Sequence, residues 1–133
     1  MAESEQGGDS TQIRMPSKAT QQIPARYHVS IVILSGHAEG MEYPLTKEYT
    51  TIGRDRSSDI ALRDPLVSRQ HTAIQYADGQ FTIKDLGSTN GTFLSGKMIL
   101  TSRIQDRDKF QVGDTTIQFI IEDTSKGKVF EIG

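Results

Sequence analysis

GRDRSSDIALRDPLVSRQHTAIQYADGQFTIKDLGSTNG occupies residues 53–91. Three polar clusters punctuate it: Gly53-Arg54, Ser68-Arg69-Gln70-His71 and Ser88-Thr89-Asn90-Gly91. The segments between them read as short strands. Thr72-Ala73-Ile74-Gln75-Tyr76 and Phe81-Thr82-Ile83-Lys84-Asp85 alternate in polarity and flank Asp78-Gly79, a strong hairpin-turn pair. Asn90-Gly91 supplies two residues that tolerate positive φ. A sheet scaffold thus presents three loops built from hydroxyls, amides and guanidinium groups.

The same pattern extends outward. Tyr27, Val29, Ile31 and Ile33 alternate with His28, Ser30, Val32 and Leu34, which predicts a strand with one face buried. Gly36 and Gly40 bracket a turn. Met41–Leu45 reads as an edge strand, because Pro44 has no N–H to give a neighbour. Tyr49–Gly53 and Asp59–Leu62 read as two more. Past Gly91 come Thr92–Leu94, a Ser95-Gly96 turn, Lys97–Leu100, Lys109–Val112, a Gly113-Asp114 turn and Thr116–Ile121. No stretch carries helical periodicity. About ten or eleven short strands with turn signals every 6–12 residues predict an all-β sandwich.

Composition narrows the class. The chain has 133 residues, of which 35% are apolar, so one packed domain with polar extensions fits. Residues 1–26 are rich in Gln, Ser, Thr, Gly and Ala, and predict a disordered tail. Residues 27–122 form the domain, and 123–133 a C-terminal tail whose Val129-Phe130-Glu131-Ile132 could add or cover a sheet edge. Fifteen basic and 17 acidic residues, net −2, argue against a broad nucleic-acid or anionic-membrane surface. The absence of cysteine excludes disulfides, thiolate metal sites and cysteine nucleophiles. There is no secretory signal pattern and no apolar run of membrane-spanning length, which predicts a cytoplasmic protein. No nucleophile–base set, metal cluster or P-loop is present, so the sequence predicts no enzyme, cofactor or metal.

The loop chemistry points to an anion. Arg54 can offer phosphate a two-point contact, Ser68 and Thr89 offer hydroxyl donors, and Arg69 adds charge. Asn90 can pair with a peptide backbone both as donor and as acceptor. Loops at one end of a sandwich can converge on a small concave site. One or two positive charges and several neutral donors suit a phosphate better than a metal.

Gly53-Arg54, Ser58-Asp59-Ile60, Ser68-Arg69-x-His71 and Asp85-Leu86-x-Ser88-Thr89-Asn90-Gly91-Thr92, in this order and spacing, resemble the forkhead-associated (FHA) domain. The resemblance spans about residues 29–121. It implies an eleven-stranded β-sandwich that binds phosphothreonine in an extended peptide. It assigns Arg54 and Ser68 to the phosphate, places Arg69 and Thr89 in the pocket wall, and gives Asn90 the peptide main chain. It also implies that Leu66 helps to read the residue three after the phosphothreonine, which predicts an apolar preference there. His71, Gly53 and Gly91 would be structural. The implied partners are a phosphothreonine protein and a Ser/Thr kinase. The alternative is a scaffold that binds proteins without phosphate. One departure stands out: Arg107-Asp108 occupies a turn where the family often has Gly-Asp. Thr11 and Thr20 are candidate phosphorylation sites that could dock in cis or in trans, and His28 and His37 receive no role.

Overall fold

The computed structural model describes residues 22–125. Thr11, Thr20 and Val129-Phe130-Glu131-Ile132 lie outside them. Eleven strands follow in order: β1 Tyr27–Ser35, β2 Glu42–Pro44, β3 Tyr49–Gly53, β4 Ile60–Ala61, β5 Thr72–Ala77 and β6 Gln80–Asp85. Then come β7 Thr92–Leu94, β8 Lys97–Ile99, β9 Thr101–Arg103, β10 Lys109–Val112 and β11 Thr115–Asp123. They form two sheets. One has five strands in the order β9-β6-β5-β3-β4, and the other six in the order β2-β1-β11-β10-β7-β8. Among the described strands, only the short β3–β4 pair is parallel.

Alternation builds the core. Val29, Ile31, Ile33, Phe110, Val112, Ile117 and Phe119 point inward from the larger sheet. Ile52, Ile74, Tyr76, Phe81 and Ile83 meet them from the smaller one. Phe81 and Phe119 join the sheets edge to face, with ring centroids 5.2 Å apart. Each of these side chains withdraws enough apolar area to contribute about 1.5–3 kcal/mol.

The sequence reading and the structure differ at one strand. Thr101–Arg103 is a separate strand, reached from β8 through Leu100 alone, and it pairs with β6 in the other sheet. A polar three-residue strand that changes sheet without Gly or Pro leaves no periodic signal. Of Asn90 and Gly91, which both tolerate positive φ, only Gly91 adopts it, at 93°. At the Arg107-Asp108 turn, Arg107 takes φ 74°, the conformation a glycine would adopt freely.

The long central pair fixes the two ends of the sandwich. Tyr27 pairs with Asp123 at one end of β1–β11, and Ser35 with Thr116 at the other. The turn at Gly113 packs on Asp64 and Val67, so the 53–71 loops lie at the Ser35 end. The chain enters at Tyr27 and leaves β11 at Asp123, at the opposite end.

Candidate functional site

Residues 54–59, 62–71 and 86–91 meet at the loop end. Gly53 terminates β3 there because of space, not φ. A Cβ at Gly53 would run into the Arg69 carbonyl and come within 2.8 Å of Ser58 Oγ. With that approach open, the Arg54 N–H reaches the Ser68 carbonyl at 2.9 Å, and the Asp55 N–H reaches the Arg69 carbonyl at 3.2 Å. Two of the three polar clusters are thereby zipped together.

Three successive carbonyls then act as a template. Leu66 O accepts from Asn90 Nδ2 at 2.9 Å, Val67 O from Arg54 Nε at 2.9 Å, and Ser68 O from the Arg54 N–H. The Arg54 guanidinium is exposed, and among the described residues its terminal nitrogens have no other hydrogen bond. It is oriented through Nε and offers its outer fork. Asn90 keeps one amide hydrogen and its carbonyl oxygen for a ligand.

Ser68 is poised in a complementary way. Its Oγ accepts the Thr89 N–H at 3.0 Å, so its hydroxyl proton remains to donate. The Ser68 N–H donates to His71 Nδ1 at 3.0 Å, and His71 Nε2 lies 2.8 Å from the Gly91 carbonyl. The first bond makes Nδ1 an acceptor, so Nε2 carries the proton and the imidazole is neutral. Fully buried, His71 bolts the second loop to the third and presents nothing to solvent.

The third loop hangs on Asp85. Its Oδ1 accepts from the Ser88 hydroxyl at 2.6 Å and from Thr92 Oγ1 at 2.7 Å. Oδ2 accepts the Gly87 and Ser88 N–H groups. Thr92 spends its proton on Asp85, so the buried Thr72 hydroxyl, 2.6 Å away, donates to Thr92. Burial opposes the charge on Asp85, but the Ser88 and Thr92 hydroxyls and the Ser88 and Gly87 N–H groups outweigh it, and its pKa lies below the usual carboxylate range. The Gly91 N–H closes the loop on Ser88 Oγ at 2.8 Å. Asp85, Ser88, Thr92 and Thr72 received no role from the sequence. The Asp85-x-x-Ser88 spacing, an Asx-type turn, was the available signal.

Arg54, Ser68, Thr89, Asn90 and Leu66 therefore share one surface. Thr89 is exposed beside Ser68, and Leu66 is 44% exposed beside Asn90. Arg69 is tied in by its carbonyl, and its exposed side chain has no hydrogen-bonded partner among the described residues. His28 and His37 are exposed, and neither has a side-chain hydrogen bond to the loop residues among the described residues. Among the described residues, no group of three or more His, Asp or Glu is placed to hold a metal, and no helix is long and apolar enough to cross a membrane.

Comparison with known proteins agrees with this architecture. A family model, the FHA domain, matches residues 50–113. The oxoglutarate dehydrogenase inhibitor of Corynebacterium efficiens is 33% identical over 90 residues, covering 68% of this chain and 63% of that protein. The chain thus spans less than two thirds of that relative's length. The FHA domain of CT664 from Chlamydia trachomatis superposes with a TM-score of 0.66 at 29% identity, covering 70% of this chain and 96% of that one. Mycobacterium tuberculosis EmbR, solved with a low-affinity phosphopeptide, gives 0.65 at 30% identity, covering 70% of this chain and 24% of EmbR.

Proposed function

The chain belongs to the FHA domain family, and we propose that it binds phosphothreonine in an extended segment of a partner protein in Ser/Thr kinase signalling. The family and the relative's name indicate a binding or regulatory role. We propose further that the domain has no catalytic activity of its own. The observation that carries the reading is the template of three carbonyls. It aims the outer fork of Arg54, the free proton of Ser68 and the spare amide groups of Asn90 from one short backbone run.

In this reading the phosphate, with about −1.5 to −2 charges, takes two hydrogen bonds from Arg54 and one from Ser68. Arg69 adds a mobile positive charge, and Thr89 lines the pocket. Asn90 pairs with the peptide main chain, and Leu66 meets an apolar residue three positions later. Each charge-assisted bond contributes about 1.5–3 kcal/mol, and ordering the peptide offsets much of the sum. Micromolar affinity, about −8 kcal/mol, follows. The threonine methyl adds about 0.8 kcal/mol, roughly fourfold over serine.

The chain's own threonines are candidate ligands. Ile23 packs against the core at the end opposite the loops, which fixes where the N-terminal segment starts. Thr20 is two residues before Gln22, a reach of about 7 Å, while β1 alone is roughly 27 Å long. Thr20 therefore cannot reach the site in cis. Its third following residue, Ile23, is itself engaged, which also disfavours Thr20 in trans. Thr11 is eleven residues from Gln22, a reach of about 36 Å, so phosphorylated Thr11 is the better cis ligand.

The test is an oriented phosphopeptide screen, comparing phosphothreonine, phosphoserine and threonine, with Arg54→Ala beside wild type. Binding that requires both the phosphate and Arg54 supports the reader. A folded wild type that binds no phosphopeptide would leave the phosphate-independent scaffold.

A further inference from the structure

Asp64 lies behind the candidate site, yet it is 1% exposed and three donors converge on it. Oδ1 accepts the Leu66 N–H at 2.9 Å. Oδ2 accepts the Asp114 N–H at 2.8 Å and the Thr115 hydroxyl at 2.7 Å. The last two partners are 50 and 51 residues away in sequence, at the end of the β10–β11 connection and the start of β11 in the other sheet. Gly113 is pressed so close in that turn that a Cβ would stand 2.9 Å from Asp64 Oδ2 and 2.9 Å from the Val67 side chain.

One residue after Asp64, past Pro65, come Leu66, Val67 and Ser68, the three residues whose carbonyls hold Asn90 Nδ2, Arg54 Nε and the Arg54 N–H. The Val67 N–H also returns to the Asp64 carbonyl at 3.0 Å. One carboxylate thus moors the start of the run from which both ends of the site hang.

We infer that Asp64 is a positioning residue for phosphopeptide binding: it locks Leu66–Ser68 to the Gly113-Asp114 turn and so sets the spacing between the phosphate contacts and the main-chain contact of Asn90. The inference rests on the phosphothreonine reading. It makes the β10–β11 turn, which supplies none of the proposed peptide contacts, part of what determines affinity. Burial opposes the charge on Asp64. The Thr115 hydroxyl, the Leu66 and Asp114 N–H groups and the attraction of His37 outweigh it, so its pKa lies below the usual carboxylate range and the latch is ionised at neutral pH.

The test uses the full chain with Asp64→Asn, Thr115→Val and the double variant. Each is titrated with the best phosphothreonine peptide for wild type, well below its own melting temperature. Asp64→Asn should lower affinity about tenfold, the equivalent of one lost hydrogen bond, and Thr115→Val by less. The double variant should lose less than the sum, because both act on one latch. In the unliganded variants, the NMR signals of Arg54 Nε–H and the Asn90 side-chain amide should move, which general loss of stability would not cause. Should Asp64→Asn not fold, Thr115→Val carries the same comparison. Unchanged affinity and unchanged Arg54 and Asn90 signals in a folded variant overturn the inference. Failure of wild type to bind any phosphothreonine peptide overturns the parent reading instead, while the unliganded signals still test the latch.

Discussion

The two ends of the sandwich are built differently. At the loop end, bonds join residues distant in sequence: Arg54 to Val67 across 13 positions, Thr89 to Ser68 across 21, and Asn90 to Leu66 across 24. At the opposite end, the turn before β10 closes on itself, with the Asp108 N–H on the Gln105 carbonyl and the Gln105 N–H on the Asp108 carboxylate. Its other bonds, such as the Arg107 N–H to the Phe119 carbonyl and the Ile121 N–H to Asp106 Oδ1, go to β11, the strand that β10 already pairs with. Backbone strain is distributed the other way. Among the described residues, the non-glycine positions with positive φ, Asp78, Ser95 and Arg107, all sit in turns at that opposite end, whereas at the loop end every positive-φ position is a glycine. The far end tolerates imperfect turns because each hairpin needs only its own register. The loop end must place groups from three segments within a fraction of an ångström, and spreads that task over many small contacts.

Substitutions can break this contrast, beginning with the largest effect. His71→Ala should cost about 3–5 kcal/mol of stability, because it empties a fully buried site and strands the Ser68 N–H and the Gly91 carbonyl. Urea denaturation measures it, and an unchanged midpoint would show that the loops do not depend on that bolt. Arg54→Ala should remove about 3 kcal/mol of phosphopeptide affinity, roughly a hundredfold, read by calorimetry, while leaving the fold intact. If affinity survives, the anion is held elsewhere.

Acid sharpens the contrast more gently. Asp64 and Asp85 both have depressed pKa values in the folded state. Their contribution is therefore present above the unfolded carboxylate value of about 4 and is lost as pH falls through the folded values. Below about pH 4, amide exchange should quicken first in residues 64–68 and 86–92, and uniform quickening across both ends would contradict the assignment. The smallest effect belongs to the far end. Arg107→Gly should raise stability by about 0.5–1 kcal/mol by relieving φ 74°, since its 3.8 Å pairing with Asp106 is exposed and weak. Phosphopeptide affinity should not change, and a shift in it would mean that the two ends communicate.

The same contrast explains what was legible in the amino-acid sequence. Strand alternation located the sheets, since burying one face of a period-two segment is a local property. Thr101–Arg103 escaped because its role is to cross between sheets, and polar residues at an edge carry no period. Arg54, Ser68 and Asn90 were visible because their chemistry and spacing make a recognisable pattern. Asp64 and Thr72 were not, because a buried carboxylate or hydroxyl is defined by partners twenty to about fifty residues away, and no window of sequence contains both. The difference between a surface Asp and a mooring Asp exists only in three dimensions.

The pairing of Tyr27 with Asp123 has a mechanical consequence. The strands that begin and end the sandwich are antiparallel neighbours, and the Thr124 N–H closes on the Arg26 carbonyl at 2.8 Å just beyond them. A pull between these two points loads the rungs one after another, like a zip, instead of shearing all of them together. The domain would therefore yield at low force from the Tyr27–Asp123 end, and the loop end would be the last part to feel the strain.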